Sequence, residues 1–198
     1  MNNRPRFAFL LFAAAALTVA GCQPGPKEGP LAGAAIGGPF TLIDQDGKTV
    51  RDTDFAGRYR LVYFGYTFCP DACPTDLQAL MQGFRQLEKE APAKAAKLQP
   101  IFISVDPTRD TPAAVKTFVA AFHPRLIGLT GSEAEIAKVA KEYGAYYSVP
   151  PPAKRSDGYL VDHSRTATLY GPNGEPIALI PQDGKPDEIA SELAQWIG

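Results

Sequence analysis

Cysteine is scarce in this chain, three in 198 residues, and histidine scarcer still, with two. Three cysteines cannot build the disulfide framework that staples small secreted domains, so the place of each one matters more than the count. Any chemistry that needs an imidazole has only His123 and His163 to draw on. Charge of one sign is lacking too: the formal net charge is −1, and no run or stripe of Lys and Arg interrupts the balance. The electrostatic footprint of a nucleic-acid binder is therefore missing, and no nucleic-acid partner is expected. No internal repeat is visible. The longest apolar run, Phe7–Val19, is shorter than a bilayer span requires. What remains is core material, 45% hydrophobic, over a length short for two domains and comfortable for one.

The first 21 residues carry Arg4 and Arg6 and no acid, then the Phe7–Val19 run. A positive start followed by a short apolar stretch reads as an export signal. The run ends in Val19-Ala20-Gly21-Cys22, which resembles a bacterial lipobox. In such lipoproteins the cysteine thiol is acylated and becomes the first mature residue. The alternative is an uncleaved anchor helix, which the length argues against. Both readings place the folded part outside the cytoplasm beside a membrane, on the periplasmic side and at the inner membrane for the lipoprotein. Residues 22–39 are rich in Gly, Pro and Ala without an apolar period, and are expected to be a flexible tether. The domain is expected over 40–198.

Within it, Phe40–Ile43 and Lys48–Val50 flank Asp44-Gln45-Asp46-Gly47, the pattern of a hairpin. Arg60–Tyr66 is a near-continuous apolar and aromatic run, as a buried strand would be. Leu77, Leu80, Met81, Phe84 and Leu87 recur at three and four within residues 74–91, marking a helix with one buried face. Pro100–Asp106 reads as a second buried strand, Thr111–Phe122 as a helix and Leu126–Leu129 as a short strand. Ser132–Tyr143 reads as a helix with Glu135 completing a capping box. Residues 146–163 read as a protruding loop or hairpin. Thr166–Tyr170 and Ile177–Ile180 flank Gly171-Pro172-Asn173-Gly174 as a further hairpin, and Pro186–Ile197 is a closing helix. This order is that of an α/β thioredoxin-like sandwich with an N-terminal β-hairpin and an inserted segment near 146–163. The pattern places Cys69 and Cys73 at the carboxyl end of a buried strand, where α/β sheets put their ligands.

Cysteines four apart at a strand-to-helix junction share a face if the helix has begun by Cys69. Their closeness would permit a disulfide or let both sulfurs reach one metal. A helix N-terminus also favours the thiolate, which is nucleophile and ligand alike. Spacing alone thus serves redox and metal chemistry equally. His163, in Val161-Asp162-His163-Ser164 just before a strand expected beside the buried one, tips the reading toward metal. Two soft thiolates with one imidazole suit copper, as Cu(I) or, with a further ligand, Cu(II). A structural zinc site wants four closed ligands, and His123, at the helix end FVAAFHP, reads as a cap or surface residue rather than the fourth.

Three segments resemble one family. Tyr63-Phe64-Gly65-Tyr66-Thr67-Phe68-Cys69-Pro70-Asp71-Ala72-Cys73-Pro74-Thr75 is similar to the Sco/SenC signature. Ser104-Val105-Asp106-Pro107-Thr108-Arg109-Asp110-Thr111-Pro112 and Tyr159-Leu160-Val161-Asp162-His163-Ser164 are similar to its later motifs, in the same order. The resemblance covers roughly residues 40–197. It implies a membrane-tethered, thioredoxin-fold protein that binds copper through Cys69, Cys73 and His163. It further implies a copper donor protein and an acceptor, chiefly the binuclear copper site of cytochrome c oxidase subunit II. The lipobox departs from the transmembrane helix of most relatives, which bears on sorting and not on the chemistry. Asp71, Asp106 and Asp110 are candidates for supporting the ligands; Asp106 and Asp110 serve equally well as a turn and a helix cap.

The enzyme alternative is a thiol–disulfide oxidoreductase using Cys69 and Cys73 on the oxidase subunit or other extracytoplasmic proteins. Thioredoxin-type reductants use Cys-x-x-Cys and a proline before the following strand, whereas this spacing is one residue longer and His163-Ser164-Arg165 holds that stretch. A peroxidase of the peroxiredoxin type would carry threonine three before the reactive cysteine, where Tyr66 stands. The anchor reading is directly testable: Cys22→Ser is expected to release the protein from the membrane still folded. A variant that stays in the membrane fraction as an uncleaved precursor would make the apolar segment itself the anchor.

Overall fold

The computed structural model describes residues 28–155 and 158–198; the signal segment and the lipidation candidate Cys22 lie outside the described residues. The Asp44–Gly47 turn forms for reasons its residues carry. The Asp44 carboxylate accepts from the N–H of Asp46 at 2.8 Å and of Lys48 at 2.9 Å, and Gly47 takes φ 78°, a conformation open to glycine. It joins β1 (Thr41–Asp44) to β2 (Thr49–Arg51). A single 3₁₀ turn, Asp52–Phe55, leads toward β3 (Tyr59–Gly65). α1 (Ala72–Glu90) buries Leu77, Leu80, Met81, Phe84 and Leu87, the stripe its spacing predicts. A short helix, α2 (Pro92–Lys97), precedes β4 (Leu98–Ser104), then come α3 (Pro112–Ala120), β5 (Ile127–Thr130) and α4 (Glu133–Glu142). The expected capping box opens α4, with Ser132 N donating to Glu135 Oε2 at 2.7 Å and Glu135 N to Ser132 Oγ at 3.3 Å. β6 (Tyr147–Ser148) and β7 (Asp162–His163) close the inserted segment, and β8 (Ala167–Tyr170), β9 (Pro176–Ile180) and α5 (Pro186–Trp196) complete the chain.

The main sheet runs β2-β1-β5-β4-β3-β8-β9, with β3, β4 and β5 parallel and the outer strands antiparallel. β3 and β4 are almost wholly buried, which is why their sequences run apolar without alternation. α1, α3 and α5 cover one face. Tyr63 reaches α1 there, Phe102 meets Phe118 of α3, and Gly128 lies beneath Val115 and Val119. A Cβ on Gly83 of α1 would stand 2.3 Å from Ile189 of α5, so the glycine sets how closely those helices approach. On the other face Phe64 and Tyr170 pack against Tyr143 at the end of α4. This is the α/β thioredoxin-like sandwich, and the ends of the inserted segment pair in a separate two-stranded ladder, Tyr147 opposite His163.

One element is added to those expected, and one expectation changes. α2 has six residues, too few to show an apolar period, and only Ala95 of it is buried. The stretch read as tether lies against the domain from residue 29 onward. Leu31 N donates to Ile177 O at 3.0 Å, Gly37 N to Glu142 O at 2.8 Å and the Tyr143 hydroxyl to Gly38 O at 3.1 Å. Its glycines serve close approach here: Gly37 has φ 96°, and a Cβ on it would stand 3.0 Å from the Tyr170 ring. Among the described residues no helix is long and apolar enough to cross a membrane.

Candidate metal centre

β3 ends at Gly65, and the loop from Tyr66 to Asp71 turns the chain into α1. Helical structure starts at Ala72, so Cys69 stands ahead of the helix and Cys73 in its first turn. They meet through the turn rather than along a helix face: Cys73 N donates to Cys69 Sγ at 3.3 Å. A Cβ on Gly65 would lie 2.9 Å from Cys73 Sγ, so the glycine leaves the space that the sulfur fills.

His163 arrives from the inserted hairpin. Its Nε2 lies 3.1 Å from Cys73 Sγ and its Nδ1 2.9 Å from the Ser164 carbonyl. A carbonyl can only accept, so the network assigns the proton to Nδ1 and leaves the Nε2 lone pair facing the sulfurs. The rings of Tyr63 and Tyr66 meet the imidazole edge-on at 6.3 and 5.8 Å and fix its plane. Cys69 Sγ, Cys73 Sγ and a His163 nitrogen all lie within 4.8 Å of one another. Cys73 is fully buried, while Cys69 and His163 are half-buried and open to an incoming ligand.

The electrostatics differ from the expectation that the helix N-terminus makes Cys73 a thiolate. Burial pushes the Cys73 thiol well above its ordinary range, outweighing the hydrogen bonds that pull it down. Metal-free Cys73 is a thiol at neutral pH, and a soft cation must displace its proton. The donor set fits copper: two sulfurs and one imidazole converge on one point.

Of the three acids, Asp71 is exposed, and its carbonyl accepts from the Thr75 hydroxyl at 2.9 Å. Asp110 is not the cap of α3; Thr111 is, accepting from Ala114 N at 3.3 Å. Asp110 is fully buried and accepts from Ser104 Oγ at 2.5 Å, Thr67 Oγ1 at 2.6 Å and Thr67 N at 2.9 Å. It thereby ties the end of β4 to the loop two residues before Cys69. Burial pushes its carboxyl up while those donors pull it down. Asp106 accepts from Arg109 Nε and the Tyr159 hydroxyl, both at 2.5 Å. Arg109 in turn stacks on Tyr159 at 3.5 Å and on Phe68 at 4.8 Å. His123 is neither cap nor surface residue. It is buried edge-on to Phe84, 3.2 Å from Glu88, and accepts at Nδ1 from Arg125 N at 3.1 Å. Being bonded at both nitrogens, it holds α1 to the chain after α3.

Asp76, Arg165 and Tyr63 are site neighbours that pattern reading passes over. Asp76 alone left a signal, an acid three residues past Cys73 on the face of α1 that is otherwise apolar.

The SCO1/SenC family model matches residues 28–198. The mitochondrial SCO2 homolog of Bos taurus is 49% identical over 142 residues, covering 71% of this chain and 52% of that protein. The human mitochondrial SCO1 homolog is 40% identical over 159 residues, covering 80% of this chain and 52% of that one. The chain thus spans about half the length of the curated relatives it matches. Among solved structures, Bradyrhizobium japonicum ScoI with copper bound superposes with a TM-score of 0.72 at 42% identity. That superposition covers 82% of this chain and 99% of that one.

The unequal burial of the two thiols predicts unequal reactivity in the metal-free, reduced protein. At neutral pH iodoacetamide is expected to label Cys69 at least about tenfold faster than Cys73, because the thiolate is the nucleophile and burial suppresses it. Peptide mass spectrometry over a time course reads this out. Equal labelling of Cys73 in the folded protein would contradict the assignment.

Proposed function

The chain belongs to the SCO1/SenC family, and on that premise we propose that it is a copper-binding metallochaperone for the copper site of cytochrome c oxidase. The observation that carries the proposal is the convergence of Cys69, Cys73 and His163 within 4.8 Å at one end of β3. Copper is the cargo. Cys73, buried, is the fixed ligand; Cys69 and His163, half-buried, are the positions where an acceptor's own ligands can enter and take over. Thiolates suit Cu(I), and the imidazole extends the set toward Cu(II).

An acceptor must approach this end of the molecule, where exposed apolar side chains stand among exposed charges such as Asp71 and Asp162. Phe68 beside Cys69 is 53% exposed, and Leu160 and Tyr146 on the inserted hairpin are 58% and 65% exposed. Exposed apolar side chains grouped around a transfer site suit a protein partner, here oxidase subunit II or a similar copper protein, with a copper donor protein upstream. The location that goes with this role is the periplasmic side of the inner membrane, with Cys22 lipidated as the anchor.

The neighbouring sulfurs also favour a second reading, thiol–disulfide exchange. In it Cys69 and Cys73 become a disulfide while a partner's disulfide becomes two thiols. His163 separates the two, since exchange needs no imidazole. His163→Ala is expected to abolish stable Cu(II) binding and oxidase assembly while the Cys69–Cys73 pair still exchanges in vitro. Normal oxidase activity in cells carrying His163→Ala, with activity lost in Cys69→Ser, would favour the reductase.

A further inference from the structure

His163 comes from a part of the chain that has little of its own to hold it. β7 is two residues long and pairs only with β6, outside the main sheet. Yet the imidazole stands 3.1 Å from a sulfur on α1. The main sheet takes the chain up again at Ala167 of β8, opposite Tyr63, and between that strand and His163 a side-chain contact ties the segment to α1. Arg165 Nε donates to Asp76 Oδ2 at 3.0 Å and Nη2 to Oδ1 at 2.5 Å, a two-pronged pair. Asp76 is fully buried and sits three residues beyond Cys73 on α1. A third donor reaches the same carboxylate, the Tyr63 hydroxyl from β3, at 2.8 Å. The other end of that contact is also relevant, because the Tyr63 ring packs edge-on to His163.

One carboxylate therefore binds the helix that carries Cys73, the strand whose tyrosine orients the imidazole, and the segment that carries the imidazole. We infer that Asp76 and Arg165, with Tyr63, form a latch that positions His163 against Cys73. With the latch closed the site offers two sulfurs and a nitrogen; with it open, two sulfurs alone. These are positioning residues, since none of them contributes an atom to the cluster. The physics favours a firm closed state. A buried carboxylate stripped of its cation is costly, and Asp76 has no water-facing side from which to recover solvation. The cation, by contrast, is 46% exposed on its side chain, so the latch can be reached from outside while its anion cannot. The geometry ties the latch to the ligand that distinguishes the oxidation states. Its opening should weaken Cu(II), which prefers nitrogen, far more than Cu(I), which two thiolates suffice to hold.

This inference rests on the copper reading above, and its test keeps the two separate. The full chain is compared with Arg165→Gln, which removes the cation, and Arg165→Lys, which keeps a charge beside Asp76 but loses the fork. Asp76→Asn weakens the anchor from the other side. Cu(II) and Cu(I) are titrated separately, with electron paramagnetic resonance of the Cu(II) forms. Nitrogen NMR of the His163 ring is recorded on the metal-free proteins. Arg165→Gln is expected to lose about 10–100-fold in Cu(II) affinity, the usual range for a group supporting a metal ligand, with Cu(I) affinity nearly unchanged. Arg165→Lys should lie between it and the parent. In the metal-free variants the Nε2 resonance should move toward that of a free imidazole. Should Arg165→Gln fail to fold, Arg165→Lys decides the matter, since it leaves Asp76 a counter-charge. Parent-like Cu(II) affinity, spectra and Nε2 resonance in folded Arg165→Lys and Asp76→Asn would overturn the latch. If the parent itself bound no Cu(II), the copper reading would fail, and the metal-free Nε2 resonance would still decide whether Arg165 and Asp76 position the ring.

Discussion

A sulfur on the first turn of α1 and an imidazole nitrogen ninety residues later in sequence lie 3.1 Å apart, and most of what surrounds them maintains that separation. The sulfur is seated by an absence, the missing side chain of Gly65 at the end of β3. The nitrogen is directed by the Ser164 carbonyl behind it and by two tyrosine rings at its sides. Neither group could be placed by local structure alone. β3 and β4 are parallel and buried, α1 is packed on them with α5 alongside it, and this stiff layer carries Cys73. The inserted hairpin, closed by two residue pairs, is the softer partner and brings His163. A rigid element carrying the buried sulfur and a light one carrying the half-buried imidazole suit the proposed role, holding a metal and giving it up.

Three acids are buried near the site, and two of them are compensated alike. Asp76 takes a guanidinium and a phenol, Asp106 a guanidinium and a phenol, and Asp110 two hydroxyls and a backbone N–H. Asp110 has no cation among its described partners, and burial pushes its carboxyl up against the pull of those donors. All three sit behind the ligands rather than among them, each tying a ligand-bearing loop to the sheet or helix beneath. The same low-polarity surroundings push the Cys73 thiol up, so binding of a soft cation there would release a proton.

Much of this was legible in the chain itself. The uninterrupted apolar character of Leu61–Phe64 requires burial on both faces, the stripe from Leu77 to Leu87 requires a packed helix, and Ser132 with Glu135 writes a helix start in chemistry. With one cysteine pair and one plausible histidine, the cluster followed from type and order. What stayed hidden depends on contacts made at long range. Asp110 looks like a helix cap until Ser104 and Thr67 are seen to converge on it. His123 looks like a helix-end residue until Glu88, Arg125 and Phe84 enclose it. Residues 29–38 read as flexible because composition cannot reveal backbone hydrogen bonds to β9 and α4. Arg165 carries no sign in the sequence of its partner, which lies 89 residues away.

The proposal stands or falls on whether Cys69, Cys73 and His163 together hold one copper ion. X-ray absorption at the copper edge of the full chain loaded with one equivalent of Cu(I) tests it most directly. The account predicts two sulfur scatterers and one imidazole, with the imidazole signal lost in His163→Ala and the sulfur count halved in Cys69→Ser. A parent spectrum with sulfur alone, unchanged when His163 is replaced, would contradict it.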